Sequence, residues 1–204
     1  MFWTKPPYLL QLLFSGFIWR CNPEKKSIYL TFDDGPVPEV TPLVLDLLKQ
    51  YNAKATFFCV GENAKKYPEL FARITNEGHK VGNHTYNHLN GWKTGCHLYL
   101  ENVKKCSQVI NSNLFRPPYG KITFKQARLL KPDYKIIMWD VLSYDYSVEI
   151  SKEDCFKNIK KHTKSGSIIV FHDSEKAKKN LMSALPNTLD HFSKEGYSFI
   201  EISD

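Results

Sequence analysis

Two short runs carry groups that could do chemistry together: Thr31-Phe32-Asp33-Asp34-Gly35 and His84-Thr85-Tyr86-Asn87-His88. The first places adjacent carboxylates at the end of a β-type run that begins at Ser27-Ile28. Neighbouring side chains on a strand point to opposite faces, so two acids in succession converge on one site only where the strand ends and the backbone turns. Gly35-Pro36 supplies that turn. The second run sets two imidazoles four residues apart, a spacing that predicts one helical turn with both rings on the same side. Two histidines and one aspartate form a metal-binding set with a coordination position left for water, and the remaining aspartate is then a candidate base. The pattern points to metal-dependent hydrolysis.

The elements that must position these groups alternate regularly. Strands are predicted at Ile28–Phe32, Ala55–Val60, Lys80–Gly82, Leu114-Phe115, Lys135–Trp139, Ser167–Phe171 and Tyr197–Ile200. Between them fall helical patterns. One is opened by Thr41-Pro42 as cap and first position, with Leu43, Val44, Leu47 and Leu48 on one face; another runs from about Pro68 to Gly78 with Leu70, Phe71 and Ile74 apolar. Further helices are expected over Leu98–Ile110, Thr123–Leu130, Lys152–His162 and Asn180–Phe192. Repeated βα units imply parallel strands wrapped by helices. Polar residues fall where the apolar runs end, at Asp33/Asp34, Asn83/His84, Arg116, Asp140/Asp145 and His172. A doubly wound sheet gathers a site at one switch point, whereas five contributing strand ends suit an α/β fold curled into a distorted (β/α) barrel of about seven parallel strands.

With 204 residues, 42% of them hydrophobic, the chain fits one domain with a sizeable core. The 28 Lys and Arg against 21 Asp and Glu give a net charge of +7, compatible with a polyanionic wall polymer or a membrane surface. The basic residues are dispersed and no nucleic-acid-binding motif accompanies them, so no nucleic-acid partner is expected. Five cysteines without CxxC spacing argue for free thiols rather than a disulfide framework, with Cys59 in the core. His79 and His97 are expected at the surface. Residues 1–24 stand apart from a catalytic region spanning 25–204. The stretch Leu9–Trp19 is apolar but broken by Gln11, Ser15 and Gly16, and it is about half the ~20 residues of a membrane span. It has neither an early basic cluster nor a small-residue cleavage site before Trp19-Arg20-Cys21. The expectation is a short helix packed on the domain or lying on a membrane surface, in a protein that is cytoplasmic or membrane-peripheral rather than exported.

With three further runs, Arg116-Pro117-Pro118-Tyr119-Gly120, Trp139-Asp140-Val141-Leu142-Ser143-Tyr144-Asp145-Tyr146 and Ser167-Ile168-Ile169-Val170-Phe171-His172-Asp173, the chain resembles the polysaccharide deacetylase family (the NodB-type homology domain of carbohydrate esterase family 4) over residues 25–204. All five signatures of that family occur in order. The resemblance implies a distorted barrel and the removal of N- or O-acetyl groups from sugar polymers with a divalent metal, commonly zinc. Cobalt, manganese and nickel also suit an Asp-His-His set. It assigns Asp34, His84 and His88 as metal ligands, Asp33 as general base and His172 as general acid. Arg116 is implied to pair with Asp33, and Asp145 to hold the catalytic histidine in its tautomer. Pro117, Pro118 and Tyr119 become a stiff groove wall with the Tyr119 N–H as oxyanion donor, and Val170 lines the acetate pocket. Asn83 and Thr85 are candidates to orient the imidazoles, and Asp140 is a candidate second polar group in the site.

The fourth signature departs from the family. Asp145 is followed by Tyr146 where the family has Trp, and a commonly acidic position is Leu142, so Tyr146 is expected to reshape the acetyl pocket. The expected substrate is an N-acetylhexosamine glycan of peptidoglycan or chitin type. A non-polymeric amide, formamide or cyclic imide is the alternative, and a catalytically silent glycan-binding protein is a third reading.

Overall fold

A computed structural model describes residues 5–21 and 26–203. The expected boundary between residues 24 and 25 lies outside the described residues. In chain order the elements are α1 (Tyr8–Leu13), β1 (Ser27–Asp33), α2 (Thr41–Gln50), β2 (Ala55–Cys59), α3 (Gly61–Lys66), α4 (Pro68–Asn76), β3 (Lys80–Asn83) and α5 (Cys96–Ser107). They continue with β4 (Leu114–Phe115), α6 (Phe124–Leu130), β5 (Lys135–Ile136), β6 (Val141–Leu142), α7 (Lys152–His162), β7 (Ile168–His172), α8 (Lys178–Lys194) and β8 (Ser198–Phe199).

The sheet runs β5-β4-β3-β2-β1-β7-β6, every pairing is parallel, and β8 adds to the start of β1. β1 is buried along its whole length, as a central parallel strand must be when both faces are covered. Alternation divides its side chains. Phe32 stacks on Phe57 of β2 and Phe171 of β7 at 4.9 and 5.9 Å, in the cluster shared with α2 and α8. Tyr29 packs in a separate cluster with Phe58, Leu114, Ile137 and Ile168, and Thr31 and Asp33 share its side of the strand. This is the expected α/β barrel, and it is distorted. The two ends of the strand order, β5 and β6, belong to the same stretch, residues 135–142. A single strand was expected over Lys135–Trp139. Instead that stretch breaks, pairing with β4 through its first half and with β7 through its second.

The N-terminal segment enters at this break. The Ile18 N–H donates to the Ile136 carbonyl at 2.9 Å and the Ile18 carbonyl accepts from Met138 at 2.7 Å. Arg20 then bridges antiparallel to Ser167, and its guanidinium lies 3.0 Å from Asp140. Phe17 and Trp19 are buried here, whereas α1 buries none of its residues. Among the described residues no helix is long and apolar enough to cross a membrane.

Three local expectations are corrected. α2 begins at Thr41, but the Thr41 hydroxyl accepts from the Val37 N–H and donates to Asp173 rather than capping the helix. The inward face of α2 is Val44, Leu45 and Leu48, and Leu43 is exposed. His79 is buried rather than at the surface. Its Nδ1 accepts from the Ala55 N–H at 3.2 Å, and burial, helped by Lys54, lowers its pKa to about 4. His97 is exposed, Cys59 is in the core, and all five cysteines are free.

Candidate active site

Parallel pairing brings the C-terminal strand ends to one rim. Asp33 of β1 stands beside His172 of β7 on one side and Phe58 of β2 on the other, and Asn83 of β3 stands beside Phe115 of β4. Residues immediately beyond these ends therefore surround one cleft of about 590 Å³, lined by Asp33, Asp34, His84, His88, Tyr119 and His172 among others.

The three metal-ligand candidates converge: one donor atom each from Asp34, His84 and His88 lie within 4.8 Å of one another. The His–His segment is a loop rather than the expected helical turn, with Thr85 and His88 at φ 62° and 54°. Of six non-glycine residues with positive φ among the described residues, five (Asp34, Thr85, His88, Tyr119 and Tyr144) lie on the loops around the cleft. Strained backbone is retained where the surroundings over-determine it, and here it aims side chains. The Asn83 and Thr85 side chains hydrogen-bond to backbone groups rather than to the imidazoles. The Asn83 carboxamide accepts from the Thr85 N–H, and the Thr85 hydroxyl accepts from the Leu89 N–H, so they fix the loop itself.

His84 is oriented by the Arg116 carbonyl, 2.8 Å from its Nδ1. A carbonyl only accepts, so Nδ1 carries the hydrogen and Nε2 presents its lone pair. Burial, the largest effect, lowers the His84 pKa to about 4 and keeps the ring neutral, as a ligand must be. Burial pushes the Asp34 carboxyl up, but the hydrogen bond to His88 and the fields of His172 and His84 hold it well below the usual carboxylate range. One anionic oxygen and two imidazole nitrogens directed at a common space fit a divalent metal.

Asp33 and Arg116 form a buried pair, Arg116 Nη1 donating to Asp33 Oδ1 at 2.7 Å. The same nitrogen donates to the Thr31 hydroxyl at 2.7 Å, and Thr31 in turn donates to the Ile169 carbonyl. Across the cleft, His172 Nδ1 lies 2.8 Å from Asp145 Oδ1 while the His172 N–H donates to Asp145 Oδ2 at 2.7 Å. Burial lowers the His172 pKa, but Asp145 outweighs it and raises the imidazole to about 9. Tyr146 packs edge-on against His172 at 4.8 Å, and Leu142, Trp139 and Val170 complete an apolar wall. Pro117 and Pro118 are buried behind Tyr119 and do not line the cleft. Asp140 is at the opposite end of the barrel, holding Ser167, the Ile168 N–H and Arg20.

Two groups at the site escaped the sequence reading. Asp173, fully buried, accepts from the Gly35 N–H at 3.1 Å and the Thr41 hydroxyl at 2.6 Å, tying down the turn that carries Asp34. Burial raises its carboxyl to about 8. Only glycine fits at 35, because a Cβ there would overlap the Asp173 carboxyl group. Lys176 lies 5.6 Å above the Tyr146 ring at the cleft mouth. The one signal for Asp173 was its place directly after His172; nothing in the sequence marked Lys176.

The polysaccharide deacetylase family profile matches residues 20–132. A peptidoglycan-N-acetylglucosamine deacetylase of Bacillus cereus is 40% identical over 157 residues, which cover 74% of this chain and 57% of that protein, so the chain spans little more than half of its length. A second of the same name and organism is 35% identical over 201 residues, 93% of each. The crystal structure of the Bc1960 peptidoglycan N-acetylglucosamine deacetylase in complex with 4-naphthalen-1-yl-N-oxidanyl-benzamide matches with a TM-score of 0.88 at 32% identity, covering 97% of this chain and 95% of that one. A motif set in order, a matching barrel and these relatives agree: the chain belongs to the polysaccharide deacetylase family.

Proposed function

We propose that the protein removes N-acetyl groups from N-acetylglucosamine units of peptidoglycan-type glycans, releasing acetate, with zinc held by Asp34, His84 and His88. The observation that carries this reading is the placement of two carboxylate-supported proton carriers, Asp33 on Arg116 and His172 on Asp145, around one cleft that also holds the ligand set. The names of the Bacillus cereus relatives supply the substrate class. Two imidazoles with one carboxylate favour zinc among the divalent ions.

A divalent ion at that set, when bound, acidifies water and polarises the acetyl carbonyl. The chain's own residues handle the protons. Asp33, paired with and oriented by Arg116, takes the proton of the water that adds to the acetyl carbon. The Tyr119 N–H, at the cleft wall, is the donor proposed for the oxygen on which charge develops. His172 then gives its proton to the sugar nitrogen as the carbon–nitrogen bond breaks, because an amine anion is too poor a leaving group to depart alone. Acetate and a free amine result. Val170, Leu142 and Trp139 receive the methyl group. A silent glycan-binding protein would have no use for the Asp33–Arg116 and Asp145–His172 pairs, and both are in place.

Mass spectrometry of muropeptides and chito-oligomers after incubation with metal-loaded protein tests the substrate. Loss of acetyl from N-acetylglucosamine is the expected product. Deacetylation confined to N-acetylmuramic acid, or to small amides, would contradict the proposal.

The general acid has its own test. His172 must be protonated to act, and Asp145 raises its pKa, so activity is retained below that pKa and lost as pH rises through it. A cation held by Asp34 would offset the part of that rise that the Asp34 carboxylate supplies, so the limb is expected below 9 in the metal-loaded protein. Asp145→Asn removes the stabilising charge, so the alkaline limb of kcat is expected to move to lower pH, by about one unit or more. A kcat–pH profile with an unmoved limb would show that Asp145 does not act through His172.

A further inference from the structure

Of the twelve large hydrophobic side chains exposed among the described residues, nine come from only three segments: α1, the Trp92 turn, and the stretch from Tyr119 through α6. Phe14, just after α1, stacks on Phe17 at 4.9 Å and on Phe124 of α6 at 4.7 Å, and the Trp92 indole N–H donates to the Ile122 carbonyl, which ties the three segments together. α1 itself buries nothing, and Leu9 is 68% exposed. Trp92 is 66% exposed although its indole N–H is already bonded to the Ile122 carbonyl, which leaves an apolar ring facing outward. A contiguous apolar face of this kind marks a contact surface.

Its charge selects the partner. Residues 5–19, 89–95 and 117–132 contain Lys5, Lys93, Lys121, Lys125, Arg128 and Lys131 and not one aspartate or glutamate, in a chain with 28 basic and 21 acidic residues. Lys121 and Lys131 lie 5.4 Å from the rings of Trp92 and Phe17, placing cations among the aromatic groups. Apolar and aromatic side chains with cations interspersed and carboxylates excluded match an anionic bilayer surface, where rings and leucines enter the acyl boundary and lysines meet the headgroups. We propose that this face seats the protein peripherally on an anionic lipid bilayer. A groove of about 240 Å³ beneath α1 shares Tyr119, Lys121, Trp139 and Leu142 with the catalytic cleft, so docking would place the cleft mouth beside the membrane and favour glycan held there.

Sedimentation of the full chain with vesicles tests this. Vesicles of phosphatidylglycerol and phosphatidylcholine are expected to carry the protein down at low salt. Vesicles of phosphatidylcholine alone are expected not to, and roughly 0.5 M salt to release it. Leu9→Glu with Leu13→Glu is expected to lower the bound fraction about tenfold, with melting temperature and turnover of soluble chito-oligomers unchanged. Lys125→Glu with Arg128→Glu is expected to remove the preference for anionic lipid. Absence from the anionic pellet, or undiminished binding by the leucine variant, would overturn the proposal. So would a vesicle-free dimer that the leucine changes dissociate, since a second copy would then cover the face.

Discussion

Asp33→Asn is expected to lower kcat on N-acetylated chito-oligomers by about 10²- to 10⁴-fold while the metal content of the protein stays stoichiometric. The size follows from the role. A positioned base contributes that range, about 3–5 kcal/mol of barrier, and a carboxamide in its place cannot take the proton of the attacking water. Metal is retained because Asp33 is not among the convergent donors. The carboxamide keeps an acceptor for Arg116 Nη1 but not the countercharge, so some loss of melting temperature accompanies the kinetic effect. Steady-state kinetics and metal analysis on the same sample separate the two. A variant within a few-fold of the parent would remove Asp33 from the reaction.

Arg116→Met is expected to produce the largest loss of stability of any single change at the site, about 3–5 kcal/mol. Arg116 has no exposed surface, and its guanidinium answers four acceptors: Asp33 Oδ1, the Thr31 hydroxyl, and the carbonyls of Ile137 and Met138 at 3.2 and 2.8 Å. It also stacks over the Phe58 ring at 4.1 Å. Methionine fills much of the volume and satisfies none of these groups, leaving a carboxylate without a countercharge inside the barrel. For a chain of this size the melting temperature should fall by about 6–20 °C. Arg116→Lys restores the charge without the planar fork and should recover only part of the loss. Calorimetry that finds Arg116→Met within about 2 °C of the parent would show that the pair contributes little.

The parts of this site that were legible in the sequence are those fixed by strand periodicity. Ser27–Asp33 and Ile168–His172 are buried on both faces, so their apolar runs ended abruptly at Asp33 and His172, and parallel pairing then set the two residues side by side. Arg116 and Asp145 were legible as polar residues at strand ends, but their pairing with Asp33 and His172 only through the family signatures, since no local pattern links them to partners so distant in the chain. What failed was local shape. A four-residue histidine spacing fits a helical turn, yet left-handed Thr85 and His88 make it a loop, and positive φ at such residues leaves no mark in composition. The continuous apolar run 135–139 broke because Asp140 is drawn to Arg20 and Ser167, a contact between segments far apart in the chain. α3, which starts at Gly61 without a side-chain cap, was missed for want of any start signal. His79 and Asp173 were misjudged or missed for one reason: polar side chains satisfied by buried partners look, in sequence, like surface residues.

Acetate release is the measurement closest to the central claim. Purified protein would be stripped with chelator, reloaded with zinc, and assayed on peptidoglycan fragments and chito-oligomers beside Asp33→Asn. Release that disappears on stripping, returns with zinc and stays near zero in the variant is the predicted result. Zinc bound at full stoichiometry with no acetate from either substrate, or release that persists undiminished in Asp33→Asn, would contradict it.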